Sequence, residues 1–252
     1  MTTSFSGIKT RAAWVMAGAL LLGGCQSGAD LGGLMSAGSS FAGAATMSDQ
    51  QMQQIGDQTI AQLDAENQVA PSNSEYAQRL ANLTQGWETV DGSTLEYDVY
   101  LRDEINAFAV PNGAIRLYSG LMDEMSDEEV QYVIAHEIGH VVLGHSRRAF
   151  QVAYAASAAR EAAAASGSTT AAALSSSELG ALGEKLVNAQ FSQRQENEAD
   201  DFALELMRRH DLNTEASVSA LRKLEAKYGN SRSVFSSHPA AGDRADRLEA
   251  QL

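Results

Sequence analysis

Two histidines four residues apart, within a helical pattern of apolar residues, constrain this chain more than any other feature. His136 and His140 begin and end the sequence His-Glu-Ile-Gly-His. Residues four apart lie one above the other on a helix, so both imidazoles can reach one metal ion at about 2.0 to 2.1 Å, the usual Zn–N distance. Glu137 is rotated by about 100° from His136, which suits a base acting on water and not a ligand. The motif therefore predicts a hydrolytic zinc site.

The residues around this motif predict a helix that packs into a core. Ser126 and Glu129 fit a capping box, in which each side chain bonds the other residue's backbone amide, so we expect the helix to begin there. Apolar residues then recur at near-helical spacing, at Val130, Val133, Ile134, Ile138, Val141 and Val142. The alternative is a surface helix with two solvated histidines. Imidazoles on a buried helix need partners, and a metal ion suits both.

A downstream helical pattern supplies candidates for the third protein ligand that a hydrolytic zinc needs. Glu196 and Asp200 are four residues apart and share a face. One carboxylate can therefore bind the metal while the other accepts the free N–H of a ligating histidine. Glu198 is the rival ligand, but it lies about 160° from Asp200 around the helix axis and should face away.

These motifs, with a His-Pro about forty residues further on, resemble a known family. His-Glu-Ile-Gly-His followed by Glu-x-x-Ala-Asp is similar to the peptidases that include HtpX, the type-I CAAX prenyl proteases and the bacterial outer-membrane lipoprotein metalloproteases. The resemblance extends from about residue 46 to the end of the chain. It implies that Glu196 is the third ligand of one zinc ion per chain and that Asp200 is the partner of a zinc histidine.

The same resemblance implies roles for His238 and Arg244, which occupy places where the family carries a His and an Arg near the metal. Both side chains could stabilise the negative charge of a tetrahedral intermediate. His238 has a further alternative as a ligand in the open metal position, which would make the resting enzyme latent. Without the resemblance, a solvated loop histidine and a surface ion pair of Arg244 would be the preferred interpretation. His145 lies about 140° from His140 around a helix and is interpreted as structural or near the helix end.

A short sheet is predicted between the early helices and the zinc helix. Residues 94–100 alternate with period two, and residues 106–118 resemble a hairpin around Pro-Asn-Gly. Pro111 cannot donate to a sheet, so the preceding segment suits an edge strand, and it is similar to the family's Asn-Ala-Phe signature. An edge beside the zinc helix can bind a polypeptide substrate as an added strand, and an ordinary hairpin under the core is the alternative. The predicted substrate strand comprises Asn106, Ala107, Phe108 and Ala109.

The remaining patterns are mostly helical, so the predicted fold is an α+β, mostly helical zincin-type domain over residues 47–252. Helical patterns cover residues 49–68, 74–84, 190–209, 214–228 and 240–252, besides the zinc helix. The Ala-rich segment 149–182 contains polar residues that interrupt any run long enough to cross a membrane. It is expected to form a soluble helical hairpin or a mobile flap.

The amino-terminal residues predict export and lipid attachment. Lys9 and Arg11 precede a short apolar run, so residues 1–24 are predicted to be a signal peptide. Leu-Gly-Gly-Cys at residues 22–25 resembles a bacterial lipobox, which implies lipidation of Cys25, and Gln26 by the same resemblance favours the outer membrane. Cys25 is the only cysteine, so no intramolecular disulfide can form. Residues 25–46, rich in Gly, Ala and Ser, are predicted to be a flexible tether.

The net charge argues against nucleic acid as a partner. The formal charge is -14, which makes nucleic acid an improbable partner. The sequence thus predicts a zinc-dependent endopeptidase on the periplasmic face of the outer membrane, attached by its lipid and acting on unfolded or misassembled envelope proteins. The alternative is a zinc-containing chaperone or assembly lipoprotein that binds such clients without cleaving them.

Overall fold

The computed structural model describes residues 47–164, 175–229 and 238–252, with the side chains of all of these except 158–164. The predicted signal peptide, the lipidation site Cys25 and the tether lie outside the described residues, as does the centre of the Ala-rich segment. The helices are α1 (Asp49–Glu66), α2 (Glu75–Leu83), α3 (Ser119–Glu124), α4 (Asp127–Val142), α5 (His145–Ala164), α6 (Ser176–Val187), α7 (Gln193–Arg209), α8 (Glu215–Tyr228) and α9 (Ala241–Glu249). The strands are β1 (Thr89–Val90), β2 (Ser93–Thr94), β3 (Glu96–Tyr100), β4 (Ala107–Ala109) and β5 (Ala114–Tyr118).

The main sheet has the strand order β3-β5-β4, with β3 parallel and β4 antiparallel to β5. β4 is therefore an edge strand, as predicted from Pro111. The single strand predicted over residues 94–100 is divided at Leu95, because Thr94 pairs with Thr89 in a separate β1-β2 hairpin. That hairpin turns at Asp91 and Gly92, whose φ angles of 46° and 84° suit the Asp-Gly turns that connect two strands tightly.

Both faces of the main sheet are buried, and β5 shows how. Ile115 and Leu117 point into the core that contains α4, whereas Ala114 and Tyr118 point into a second core with residues of α1 and α6. Because successive side chains of a strand alternate between faces, the sheet lies between two helical layers. The predicted fold class, α+β and mostly helical, is confirmed.

Helix α4 begins where its capping box predicts. The Ser126 amide donates to Glu129 Oε2 at 2.8 Å, and the Glu129 amide donates to Ser126 Oγ at 3.4 Å. Helix α7 packs against α4 at the place where α4 carries Gly139. A Cβ on Gly139 would lie 3.1 Å from the Ala199 carbonyl oxygen, so the glycine permits a close approach of the two helices.

The described parts of the Ala-rich segment are helical. α5 and α6 contact each other, with the Lys185 ammonium donating to Ser157 Oγ at 2.7 Å, which agrees with a helical hairpin. Residues 165–174, which connect the two helices, lie outside the described residues. Among the helices that the structure describes, none is both long enough and apolar enough to cross a membrane.

Candidate metal centre

Four buried side chains direct one donor atom each to a common point. His136 and His140 come from α4, Glu196 comes from the first turn of α7, and His238 lies just before α9, with all four donor atoms within 4.8 Å of one another. His136 Nε2 is 3.0 Å from His140 Nε2, 3.3 Å from His238 Nδ1 and 3.5 Å from Glu196 Oε2. Ligand atoms on a tetrahedral zinc lie about 3.3 Å apart, given bonds of about 2.0 to 2.1 Å. The spacing of this group therefore fits a metal ion.

The orientation of the two α4 histidine rings also fits a metal. His136 Nδ1 lies 2.9 Å from Asp200 Oδ1, and His140 Nδ1 lies 3.1 Å from His145 Nδ1. Each Nδ1 atom thus has a partner behind its ring, and both Nε2 atoms face the common point, where each is available as a ligand. Burial holds the pKa of His140 well below its usual range, so its imidazole is neutral and can act as a ligand.

Glu196 is completely buried and remains ionised. Burial by itself would raise the pKa of this carboxyl group, but His238 and Arg244 outweigh burial and hold it well below its usual range. Arg244 Nη1 lies 2.6 Å from Glu196 Oε2. The structure thus places Glu196 where the sequence analysis expected the third ligand, and that role remains a prediction.

Asp200 organises the side of the site behind His136. Besides His136, its carboxylate accepts from Tyr132 Oη at 2.7 Å and from Arg244 Nη2 at 2.5 Å and Nε at 2.9 Å. Burial would raise its pKa, but the guanidinium of Arg244 outweighs burial and lowers it. These contacts place Asp200 directly behind His136, and its role as a partner of a metal histidine remains a prediction. They also direct Arg244 to two carboxylates, so it positions them, and its contact with a reaction intermediate remains a prediction.

His238 lies between the candidate ligands and the candidate base. Its Nδ1 is 3.1 Å from Glu196 Oε1, and its Nε2 is 3.2 Å from Glu137 Oε1. Burial opposes the protonation of this imidazole, but the two carboxylates raise its pKa to about 10 when no metal competes. Of the two roles considered for His238, a ligand in the fourth position agrees with its place in the group of four. The structure leaves its catalytic role a prediction.

His145 and Glu198 lie beside the group and not within it. His145 was expected to be structural or near the helix end, and it does lie just beyond that end, because α4 ends at Val142 and α5 begins at His145 after Gly144, whose φ is 72°. The ring consequently turns back to His140 and is buried. Its Nε2 lies 3.2 Å from Glu198 Oε2, so Glu198 faces away from the metal group, as expected.

Sequence reasoning missed two aromatic residues of the site. Phe191 stacks on the His140 ring at a centroid distance of 3.8 Å, and Tyr132 bonds Asp200. The position of Tyr132, one turn before His136 and on the same face, was a signal that could have identified it. No comparable spacing marked Phe191, which approaches His140 only through the packing of α7 against α4.

The predicted substrate strand lies beside the group. The Tyr118 and Val110 amides donate to the Asn106 and Ala114 carbonyl groups, so the alternating ladder directs the backbone groups of Ala107 and Ala109 away from β5, at the edge of the sheet. Ala107, Phe108 and Ala109 are nevertheless buried. A pocket of about 30 Å³ adjoins this strand and holds Glu137 in its wall. Its other lining residues are mostly apolar: Ala107, Leu121, Tyr132, Val133, His136, Leu221, Leu224, His238 and Arg244. A larger cavity of about 790 Å³ touches the strand at Asn106 but contains none of the four candidate ligands.

Comparison with known proteins agrees with this geometry. Residues 72–252 match the model of Peptidase family M48. The chain is 43% identical to Metalloprotease LoiP of Escherichia coli K12, over 97% of this chain and 98% of the relative. It is 38% identical to Metalloprotease YcaL of the same organism, over 93% of each chain. It is 27% identical to the Beta-barrel assembly-enhancing protease of Yersinia pestis, over 84% of this chain and 46% of that protein.

Proposed function

The chain belongs to Peptidase family M48 and is a metalloprotease, and from that premise we propose that it is a zinc-dependent endopeptidase of the bacterial cell envelope. One observation carries the proposal: the buried group of His136, His140, Glu196 and His238 has the carboxylate of Glu137 directly beside it. Two neutral imidazoles and a carboxylate are the ligand set that catalytic zinc commonly uses in peptidases.

Each residue of the site then has a chemical task. His136, His140 and Glu196 would hold the zinc, and a zinc ion there would lower the pKa of a water molecule and polarise the carbonyl group of a peptide. Glu137 takes the proton of the attacking water as general base and delivers it to the leaving amine. No covalent intermediate with the protein is needed, since the water that Glu137 activates is itself the nucleophile.

The substrate that suits this site is an extended polypeptide. The edge of β4 that faces away from β5 carries the backbone groups of Ala107 and Ala109, which are buried at rest and, once uncovered, would pair with any extended chain regardless of its sequence. The pocket beside Glu137 is walled by Leu121, Val133 and Leu221, so it favours a small apolar side chain next to the cleaved bond. Unfolded proteins expose such side chains in extended segments, whereas folded proteins bury them.

His238 is proposed to restrain the resting enzyme. His238 Nδ1 would be the atom that holds the metal, and its Nε2–H would then donate to Glu137. One imidazole would thus fill the fourth ligand position and also engage the general base. A substrate would have to displace it. Stabilisation of the reaction intermediate by His238 is the competing role, and it predicts the opposite effect of removing the side chain.

The location and the clients follow from the amino-terminal sequence and from a relative. We propose that Cys25 is lipidated and holds the domain on the periplasmic face of the outer membrane, because residues 22–25 have the lipobox pattern. One relative is named for β-barrel assembly. Unassembled outer-membrane proteins are therefore the proposed substrates, and their removal is the proposed quality-control function.

The deciding experiment compares wild type with Glu137→Gln on an unfolded outer-membrane protein, with metal content measured on both. Glu137→Gln should fold, retain its metal and lose cleavage, because this residue acts on water and not on the metal. Client binding without cleavage by the wild type would instead support the chaperone function. Cleavage by both proteins would exclude Glu137 as the base.

The anchor has its own test. Cys25→Ser should remain unlipidated and largely unprocessed, whereas lipidated wild type should stay on membranes during a salt wash. Release of wild type by salt alone would contradict the lipid anchor without affecting the proposed chemistry.

A further inference from the structure

The two α4 histidines are held from behind by different partners. His136 Nδ1 bonds the carboxylate of Asp200, which is completely buried. His140 Nδ1 instead faces the Nδ1 of a second imidazole, that of His145, at 3.1 Å. A carboxylate or carbonyl group is the usual partner of the second nitrogen of a metal-binding histidine. The imidazole partner of His140 therefore needs its own explanation.

The contacts, taken with metal binding by His140 Nε2, define which nitrogen of each ring carries a proton. A hydrogen bond between two Nδ1 atoms needs one donor and one acceptor. His140 must leave Nε2 unprotonated to bind a metal, so its Nδ1 is the donor and His145 Nδ1 is the acceptor. The proton of His145 is therefore on Nε2, where it meets Glu198 Oε2 at 3.2 Å. The carboxylate of Glu198 can only accept this bond.

The backbone is arranged to bring this second ring to His140. On a continuous helix, residue 145 would lie about 140° from residue 140 and could not face it. α4 stops at Val142, and Gly144 adopts a left-handed conformation with φ of 72° before α5 begins at His145. Glu198, two residues before Asp200 on α7, then reaches the outer nitrogen of His145.

We propose that His145 is a positioning residue for the metal site, with the contact of Glu198 at Nε2 fixing its tautomer so that Nδ1 accepts the Nδ1–H of His140. The proposal rests on the metal-binding role of His140 in the proposed function. It gives Glu198, which was rejected as a ligand, a supporting role instead. His145 then lies between Glu198 and the metal ligand candidate His140. The two metal histidines are thus supported unequally: Asp200 is buried, whereas the Glu198 side chain is 39% exposed.

Two amide substitutions of the same residue test this proposal. In His145→Asn the amide oxygen can occupy the place of Nδ1 and still accept from His140, but the bond to Glu198 is lost. In His145→Gln the amide group occupies the place of Nε2 and can still bond Glu198, but nothing accepts from His140. Metal dissociation constants of the full chain in detergent, measured by chelator competition with Zn²⁺, should be about 10 to 100-fold weaker for His145→Gln. His145→Asn should stay within a few-fold of wild type.

The outcomes separate this proposal from the proposed function. Equal losses in the two variants, or a greater loss in His145→Asn, would overturn the positioning role, because a purely structural histidine has no reason to prefer Asn. Unfolding temperatures of the metal-free variants identify a general folding defect, which would appear in both. Wild type that binds no Zn²⁺ would refute the metal site itself and with it this proposal, whereas tight wild-type binding with unchanged His145→Gln refutes the positioning role alone.

Discussion

Removing the carboxylate of Asp200 should damage both metal binding and the fold. This side chain is completely buried and accepts hydrogen bonds from Tyr132 Oη and from two nitrogens of Arg244, and it contacts His136 Nδ1 at 2.9 Å. In Asp200→Ala, His136 loses the acceptor that fixes its orientation. Arg244 loses one of its two buried carboxylate partners and keeps only Glu196.

Two magnitudes follow from these contacts. Loss of the partner of a metal histidine weakens metal binding by about 10 to 100-fold, or about 1.4 to 2.7 kcal/mol. Breaking a buried ion pair costs about 3 to 5 kcal/mol of stability. Because Arg244 retains Glu196 at 2.6 Å, we expect a value of about 3 kcal/mol in the free energy of unfolding of the metal-free protein.

The neighbouring residue provides a matched control. Asp201 pairs with Arg247 at 2.8 Å, but its side chain is 53% exposed, so Asp201→Ala should cost less than about 1 kcal/mol and leave metal affinity unchanged. Urea unfolding in the presence of a chelator measures the first quantity, and chelator competition measures the second. If Asp200→Ala binds metal as tightly as wild type, or unfolds no more easily than Asp201→Ala, the role assigned to this network is wrong. Asp200→Asn, which keeps the shape of the side chain, covers the case in which the alanine variant does not fold.

Three further changes test other parts of the molecule. Gly139→Ala should destabilise the fold by about 1 to 3 kcal/mol, because the new Cβ would lie 3.1 Å from the Ala199 carbonyl oxygen, and chelator competition should also show weaker metal binding. Glu129 has a pKa that burial would raise but that the Lys223 and Ser219 hydrogen bonds lower, so wild type should exceed Glu129→Gln in stability by about 1 to 3 kcal/mol at pH 7. That advantage should be complete above the unfolded pKa of about 4.3 and disappear as the pH falls through the folded value, and a constant difference in urea midpoints down to pH 3 would contradict it. His238→Ala should raise the rate of cleavage of a short unfolded peptide if the residue restrains the site, and a loss of about 10 to 1000-fold in kcat would show instead that it stabilises the intermediate.

Local features of the fold could be predicted from the sequence because they depend on residues within one or two helical turns of each other. The start of α4 at Ser126 was predicted from its capping residues, and the structure confirms it. The edge position of β4 was predicted from Pro111, which removes a backbone donor. A helix end near His145 was also within reach, since Gly144 stands where helices commonly end, but its spacing could not show that the His145 ring turns back to His140.

The sequence by itself determined the spacing of His136 and His140, the shared face of Glu196 and Asp200, and hence the type of chemistry that the chain can perform. Helical geometry sets these relations, and no distant contact is required to establish them. Only the tertiary structure decided that the two helices approach closely at Gly139, that Arg244 binds both carboxylates, and that His145 turns back to His140. These contacts join residues from separate helices, and their geometry depends on how the whole core packs, which no periodicity within a single helix specifies.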